Sequence, residues 1–362
     1  YSRKKKWKQY KFKVVKYHWN NREKYNNDYF FINSIYEDTL IALSYYLNQY
    51  HKESNNTKYW RIICGPWLGY FMHIIFDRWS CLKEAYKNQN IEKVICLKND
   101  YKYIVSNDFS HFSKIDIHDD IWNELLISEI IKTKEQNFEI KTKNLKLEKE
   151  LEYKNLKSYK NFYGNTKKEI KNIILLINHF RSKYDNYFIN YPCINRYKNF
   201  SLQLNLGQFP RYWEKQEVPL INLNLEDRNW KLDLDKDYNY TDLNEFRDLI
   251  KVLIPKFIPK SYFEGYKFLK GEKFTKDWPI KPKCIFTSGG ILGDDIFKIW
   301  LAQKVQIGSK LLIGQHGGAY GLSKISFVED HQVKVSNQFI TWGWERPDFK
   351  NLQKFGVLND LK

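Results

Sequence analysis

One heptapeptide concentrates groups able to do chemistry: Gln315-His316-Gly317-Gly318-Ala319-Tyr320-Gly321. Its glycines permit positive φ and leave main-chain N–H groups open to a ligand. Such a nest suits a phosphate or sugar-carboxylate oxygen. His316 stands where an imidazole can act as general base or bind phosphate; the plainer alternative is a tight turn around a packed histidine. Gln315, Gly317, Gly318, Tyr320 and Gly321 are candidate substrate contacts with it. A second glycine-rich stretch, Ser288-Gly289-Gly290, precedes Asp294-Asp295. Ser288 and Gly289 are further candidate contacts. Asp294 or Asp295 could orient an acceptor hydroxyl, or simply cap the helix that follows. Glu329 and His331 lie just after the heptapeptide. Two residues apart, they share a face only in an extended segment, from which either could reach the loop; the alternative is a solvated charge beside a surface histidine. Glu329 joins His316 and Asp294 as a candidate for proton handling or phosphate contact. Trp344, in Trp342-Gly343-Trp344-Glu345, could stack on a sugar or base. The planar forks of Arg22, Arg61 and Arg78 suit phosphate or carboxylate; the competing reading pairs Arg78 with Asp77 or Glu23.

The pattern around these groups predicts their frame. Cys284–Thr287 reads as a strand ending at Ser288, Asp294 to Gln306 as a helix stopped by Gly308, Lys310–Gly314 as a strand ending in the heptapeptide, and Phe339–Trp342 as a third strand. That rhythm predicts a parallel α/β sheet, in which ligands bind beyond the carboxyl ends of the strands. Upstream, Ile32, Ile35, Tyr36, Leu40, Leu43 and Leu47 predict an amphipathic helix from Asn27 to Tyr50. Gly65-Pro66 is expected to open a second helix reaching Tyr86. Val94–Leu97 reads as a short buried strand, and Asp119–Lys132 as a helix capped by Asp119 or Asp120. Residues 133–160 are Lys- and Glu-rich and read as a solvated helix or linker. Ile170–Phe180 reads as a helix, 186–240 as short strands and turns, and Leu243–Leu269 as a helix interrupted at Pro255 and Pro259. The expected organisation is an N-terminal helical and αβ part, residues 1–160 with its charged linker at 133–160, and an αβ part, 161–362, carrying the glycine loop.

Composition narrows the class. The apolar share of 43% excludes a wholly disordered chain, and 362 residues suffice for two domains. The net charge of +18 raises nucleic acid or an anionic membrane as partners. No zinc finger, RRM-type motif or basic zipper accompanies it, and the abundance of Lys, Asn, Ile and Tyr reads as composition drift. Specific nucleic-acid binding is therefore not expected. Cys64, Cys81, Cys96, Cys193 and Cys284 are odd in number and widely spaced, which predicts reduced thiols and neither a disulfide framework nor a zinc site. Asp233-Leu234-Asp235-Lys236-Asp237 resembles a metal-binding run but lacks the glycine and glutamate an EF-hand needs, so no metal is assigned. P-loop, zincin and α/β-hydrolase signatures do not occur. The longest apolar run, Gly65 to Phe76, is about half the roughly 20 residues of a bilayer span. A cytoplasmic protein resting at most on the inner face of a membrane is expected. Residue 1 is Tyr, and no closing element is evident before Lys362, so the natural protein is expected to extend beyond these ends.

Taken jointly, Tyr17–Lys24 (YHWNNREK), Tyr59–Leu68 (YWRIICGPWL), Phe76–Trp79 (FDRW), the heptapeptide and Ile340–Trp344 (ITWGW) resemble a transferase family of O-antigen and other surface-polysaccharide gene clusters, first noted in spirochaetes. The likeness runs from about residue 14 to about residue 346. It implies a GT-B-like architecture of two Rossmann-like domains across a cleft, with the second, nucleotide-gripping domain expected beyond Lys362. It also implies a cleft position for His316, by likeness to Kdo transferases and teichoic-acid-type glycerophosphotransferases. The expected activity is metal-independent transfer from a nucleotide-activated sugar to a glycan or lipid-linked acceptor, with no cofactor beyond that donor. The alternatives are a polymer glycerophosphotransferase of similar fold and a basic nucleic-acid-binding or scaffold protein.

Overall fold

A computed structural model describes residues 11–88, 90–98, 104–133, 138–144, 184–190, 192–211, 213, 216–234, 237–238 and 241–357. Most of the expected linker at 133–160, the helix expected at 170–180, and Asp235 and Lys236 of the acidic run lie outside the described residues.

Two long helices form the hub. α1, Arg22–His51, starts where Asn21 accepts hydrogen bonds from the N–H groups of Glu23 and Lys24 at 2.9 and 3.1 Å. It ends at Lys52, whose φ of +57° is the left-handed turn that closes a helix. Its apolar stripe is buried as the spacing predicted. α2 runs unbroken from Thr57 to Asn88. The expected start at Gly65-Pro66 is thus corrected: Pro66 lies inside the helix, where its ring removes one backbone bond. Burial on every side compensates, because Trp60, Ile62, Ile63, Trp67, Leu68, Phe71, Met72 and Ile75 are all fully enclosed.

Smaller elements pack around the hub. α3, Phe109–Lys114, is capped by Asp108. α4, Asp120–Lys132, is capped by Asp119, one of the two residues expected. α4 supports a two-stranded parallel sheet of β1, Lys93–Leu97, and β2, Glu139–Lys143.

The second sheet holds β3, Tyr187–Asn190; β4, Cys284–Thr287; β5, Lys310–Gly314; β6, Gln338–Thr341; and β7, Leu352–Lys354. All pairs are parallel, in sequential order β3-β4-β5-β6-β7. β7 follows the last strand anticipated from the sequence. Between β3 and β4 come α5, Arg196–Asn205, in a stretch read as strands and turns; α6, Thr241–Phe257, with Pro255 inside it; and α7, Tyr266–Lys270. The single turn α8, Gly290–Gly293, and α9, Asp295–Gln306, link β4 to β5, and α10, Phe327–Val335, links β5 to β6. α9 and α10 both pack against α2. One apolar cluster therefore runs from Ile32 in α1 through α2 to Phe339 in β6.

The contact of α10 with α2 is unusually close. Gly65 and Gly69, one turn apart, open a groove on α2, and Phe327 and His331, also one turn apart on α10, fill it. A Cβ on Gly69 would lie 1.8 Å from the Phe327 ring, and one on Gly65 would lie 3.0 Å from the His331 ring. Gly69→Ala should therefore destabilise the protein by roughly 1–3 kcal/mol through overpacking, read as a lower urea midpoint at unchanged slope.

The same packing sets a pH dependence. Burial pushes the His331 imidazole down to about 3 and the His51 imidazole down to about 4. Unfolded histidine titrates near 6.5, so below that pH the unfolded chain binds more protons than the native one. Stability then falls as pH drops from about 6.5 toward 4, by at most about 1.4 kcal/mol per pH unit per histidine. His331→Leu should flatten this slope in urea titrations at pH 7, 6 and 5. An unchanged slope would show that His331 is not the titrating group.

Candidate active site

The heptapeptide leaves the sheet at the carboxyl end of β5. Gln315 continues the ladder, its N–H donating to the Ile340 carbonyl at 2.9 Å. Its side chain is buried and fully engaged. Oε1 accepts from the Trp342 N–H at 2.9 Å and from Trp344 Nε1 at 2.7 Å, and Nε2 donates to the Gly317 carbonyl at 2.8 Å. Gln315 is therefore a clamp that folds the loop back on itself and ties it to the end of β6. The expected substrate contact by its side chain is corrected. Trp344 is held in the same clamp, against Gly321, with part of its ring exposed.

The far end of the loop is fixed by Glu329. One of its carboxylate oxygens accepts the Gly321 N–H at 2.7 Å, and the other pairs with Arg346 at 2.9 Å. The residue is buried on the first turn of α10, which Ser326 caps. Gly321 needs its lack of a side chain twice: its φ is +75°, and a Cβ there would sit 2.4 Å from the Trp344 ring. Tyr320 is held by Gln332, whose Nε2 donates to the phenol oxygen at 2.6 Å.

What remains unclamped is the middle. The N–H groups of His316, Gly317 and Gly318 find no acceptor among the described residues. A methyl group added at Gly289, Gly317 or Gly318 would meet nothing within 4 Å. These glycines face open space above the ends of β4 and β5. The His316 ring is exposed on one side and packed edge-on against Tyr320, 5.1 Å between centroids, on the other. Partial burial lowers its pKa, opposed by a hydrogen bond to the Ser288 backbone, so the imidazole is neutral at pH 7 and able to accept a proton. Ser288 is buried, and its hydroxyl donates to the Pro192 carbonyl at 3.2 Å.

The other expected residues have different posts. Asp294 is buried and caps α9, accepting the Phe297 N–H at 2.9 Å; the capping alternative describes it, and it is removed from the proton-handling set. Glu329 reaches the loop but as an anchor with both oxygens engaged. Its segment is helical, contrary to the extended reading, and His331 consequently points to α2 and never meets the loop. Arg61 makes a two-pronged pair with Glu37, which also binds Lys334 at 2.8 Å, tying α1, α2 and α10 together. Burial works to raise the Glu37 carboxyl, but those cations bring it down to about 2. Arg78 pairs with Asp77 and with Asn123 Oδ1 at 2.9 Å. Arg22 is exposed at the start of α1. None of the three arginines is brought to the loop by these bonds.

Sequence reasoning missed Cys193. It is exposed three residues past the end of β3, in the left-handed region at φ +49°, with its thiol raised by burial and bonded to the Ser288 side chain. Arg346, which binds Glu329, Asp330 and Asp348, was also missed. The sequence did carry one signal for α10: Ser326 followed three residues later by Glu329 is the signature of a helix start, of which the structure uses the serine half, Ser326 capping the Glu329 N–H.

Elsewhere, the Tyr17–Lys24 and Phe76–Trp79 segments meet. His18 Nε2 lies 3.1 Å from Asp77 Oδ1, and Trp19 stacks on Phe76. Cys81 joins His18 and Asp77 in a group with ligand-capable atoms within 4.8 Å of one another. Both Asp77 oxygens are already bonded there, one by His18 and one by Arg78, so the group reads as a polar network joining the segment before α1 to α2. A pocket of about 720 Å³ lies among Trp79, Lys83, Tyr86 and Lys251 and shares no residue with the loop.

Comparison with family models matches residues 1–359 to the one described as LIC12162 family transferase. The chain belongs to that family. No curated protein and no solved structure matches it. The match covers the glycine loop and both ends of the clamp, so the geometry above belongs to a transferase family.

The clamp predicts how Glu329 variants behave. Glu329→Gln keeps an acceptor for the Gly321 N–H and should retain most activity with an unshifted pH profile. Glu329→Ala should lose activity by about tenfold or more together with loop order. Equal loss in both variants, with the acid limb of the profile gone, would restore a proton-transfer role.

Proposed function

We propose that the protein is a glycosyltransferase-like enzyme of cell-surface polysaccharide synthesis, moving a sugar from a nucleotide-activated donor without a catalytic metal. One observation carries this: three main-chain N–H groups without an acceptor among the described residues and a neutral imidazole lie on one loop, whose glycines border open space at the carboxyl end of a central parallel strand. Such a rim is where parallel α/β sheets bind ligands. Amides in a nest stabilise phosphate oxygens without reorganising. In a metal-independent mechanism this is the group that would take the charge developing on the departing nucleotide.

His316 has two roles open to it in that geometry. As general base it would accept the proton of the acceptor hydroxyl as that oxygen attacks the anomeric carbon and the sugar–phosphate bond breaks. As a phosphate ligand it would hold the donor. The neutral state at pH 7 favours the base. Ser288 and the open Gly289 form the opposite lip, and Trp344, partly exposed at the loop's edge, offers an aromatic face. The family likeness supports a GT-B-like cleft, in which a second Rossmann-like domain would complete the donor site.

The test is nucleotide release from a panel of UDP-, GDP-, CDP- and CMP-activated donors, with glycerol-phosphate donors included. Release from a sugar donor, falling roughly 10²–10⁴-fold in His316→Ala, is the expected result. Its acid limb should lie below the ordinary histidine range near 6.5, because burial lowers the pKa of this imidazole. Release from a CDP-glycerol-type donor alone would replace glycosyl with glycerophosphoryl transfer. Unchanged turnover in His316→Ala would remove His316 from catalysis.

A further inference from the structure

Helix α5 is built inside out. Its inward face is polar: Asn199 and Gln203 are 4% and 0% exposed. Gln203 Nε2 donates to Asn199 Oδ1 at 3.1 Å and to the Arg211 carbonyl at 2.9 Å, and Gln203 Oε1 accepts the Arg211 N–H at 2.9 Å. Its outward face is apolar. Tyr197, Phe200 and Leu204, at helical positions i, i+3 and i+7, are 85%, 47% and 51% exposed. A helix flanking a globular core normally shows the reverse arrangement.

The charge of the protein says what this stripe meets. The chain as a whole carries +18, and apolar side chains exposed on a strongly basic protein match an interfacial helix, with rings among acyl chains and the positive field of the protein toward anionic headgroups. No helix among the described residues is long and apolar enough to cross a membrane, so this is a seat on a surface. The helix also starts at the candidate site. Asn195 caps it two residues after Cys193, whose side chain bonds Ser288. From there it runs back along β3, where Gln208 brackets the N–H and carbonyl of Tyr187 at 3.2 and 2.9 Å.

We propose that α5 seats the protein on an anionic bilayer surface, turning the cleft toward an acceptor carried in that surface. The bilayer contact stands on the helix itself; the acceptor rests on the transferase reading.

Flotation of the full chain with phosphatidylglycerol–phosphatidylcholine vesicles, against phosphatidylcholine alone, tests this. The protein should float with the anionic vesicles and be released by salt. The triple variant Tyr197→Ser, Phe200→Ser, Leu204→Ser should partition about tenfold less or weaker still, with unchanged circular dichroism. As a second measurement, Tyr197→Trp should show a new blue-shifted emission component on anionic vesicles. The proposal is overturned if the wild-type chain stays in the aqueous fractions, or if the triple variant floats equally well. It is also overturned if the stripe instead drives concentration-dependent self-association that the triple variant abolishes in sedimentation velocity. Nucleotide release with a water-soluble acceptor keeps the two readings apart. Its loss with vesicle binding intact sinks the transferase reading alone, and its persistence without vesicle binding sinks the membrane seat alone.

Discussion

The seating of two rings against two glycines fixes the position of everything at the candidate site. α2 is the only element among those described that touches α1, α4, α6, α9 and α10 together. Its Gly65–Gly69 groove lets α10 approach to a distance that any side chain would forbid. Close-packed interiors pass such shifts on without absorbing them. If α10 moves outward, Glu329 moves with it, and Glu329 holds Gly321. The loop's conformation is thus set by packing one layer below it. The polar ties at the same interface, the ion pairs of Glu37 with Arg61 and Lys334 and the hydrogen bond that Tyr29 donates to Asp330 at 2.8 Å, are partly exposed and contribute less than the ring contacts.

Above that layer, the loop is organised by satisfying its ends and leaving its centre unsatisfied. Gln315 spends both side-chain atoms on the entry, and Glu329 spends both oxygens on the exit. Hydrogen bonds to a buried charge contribute roughly 1.5–3 kcal/mol, enough to hold a glycine-rich segment whose backbone entropy would otherwise favour many conformers. The result is a rigid frame around an open centre: His316, Gly317 and Gly318 keep N–H donors unmatched among the described residues because neighbours, not they themselves, bear the cost of ordering.

Much of this frame was legible in the sequence. The strands β4, β5 and β6 and the helices α1, α4 and α9 follow their periodicity because each is buried on the face its apolar residues define. The glycine loop was legible because Gly321 has one conformational reason to exist, and that reason shows as residue type. The rest was hidden for identifiable causes. Pro66 reads as a start signal, and only burial on all sides of α2 makes it an interior residue. Glu329 and His331 read as partners when their segment is taken as extended; the Ser326 cap makes it helical and sends them to opposite sides, one to the loop and one to the core. α5 lay in a stretch read as short strands and turns because its inward-facing residues are amides, a pattern that apolar periodicity does not detect. Arginines advertise anion binding by type, yet Arg78 is tied to Asp77, the partner its competing reading offered, and Arg61 to Glu37, an acid that nothing in the spacing singled out.

The floor of the site raises the same question of cost and purpose. Asp295 and Lys298 are both buried and lie 2.7 Å apart at the start of α9. The pair is further satisfied by Ser261 at 2.7 Å, the Phe109 N–H at 3.0 Å and the Tyr262 hydroxyl, which donates to Asp295 at 3.0 Å and accepts from Lys298 at 2.9 Å. Taking two charges out of water costs several kcal/mol per ion, and an apolar replacement often folds as well or better. Stability alone therefore does not account for it. Directionality does: an apolar contact tolerates sliding, whereas this network joins α3, α9 and the segment after α6 at five defined bonds. Asp294 caps the same turn, so the chain from Ser288 to Asp295 is held at its far end against the body of the protein. Its near end meets His316. A sub-ångström displacement there would move Ser288 relative to the imidazole it bonds, a shift that the proton transfer proposed for His316 would tolerate poorly. Buried polarity beneath the loop serves position in the same way as the clamp above it.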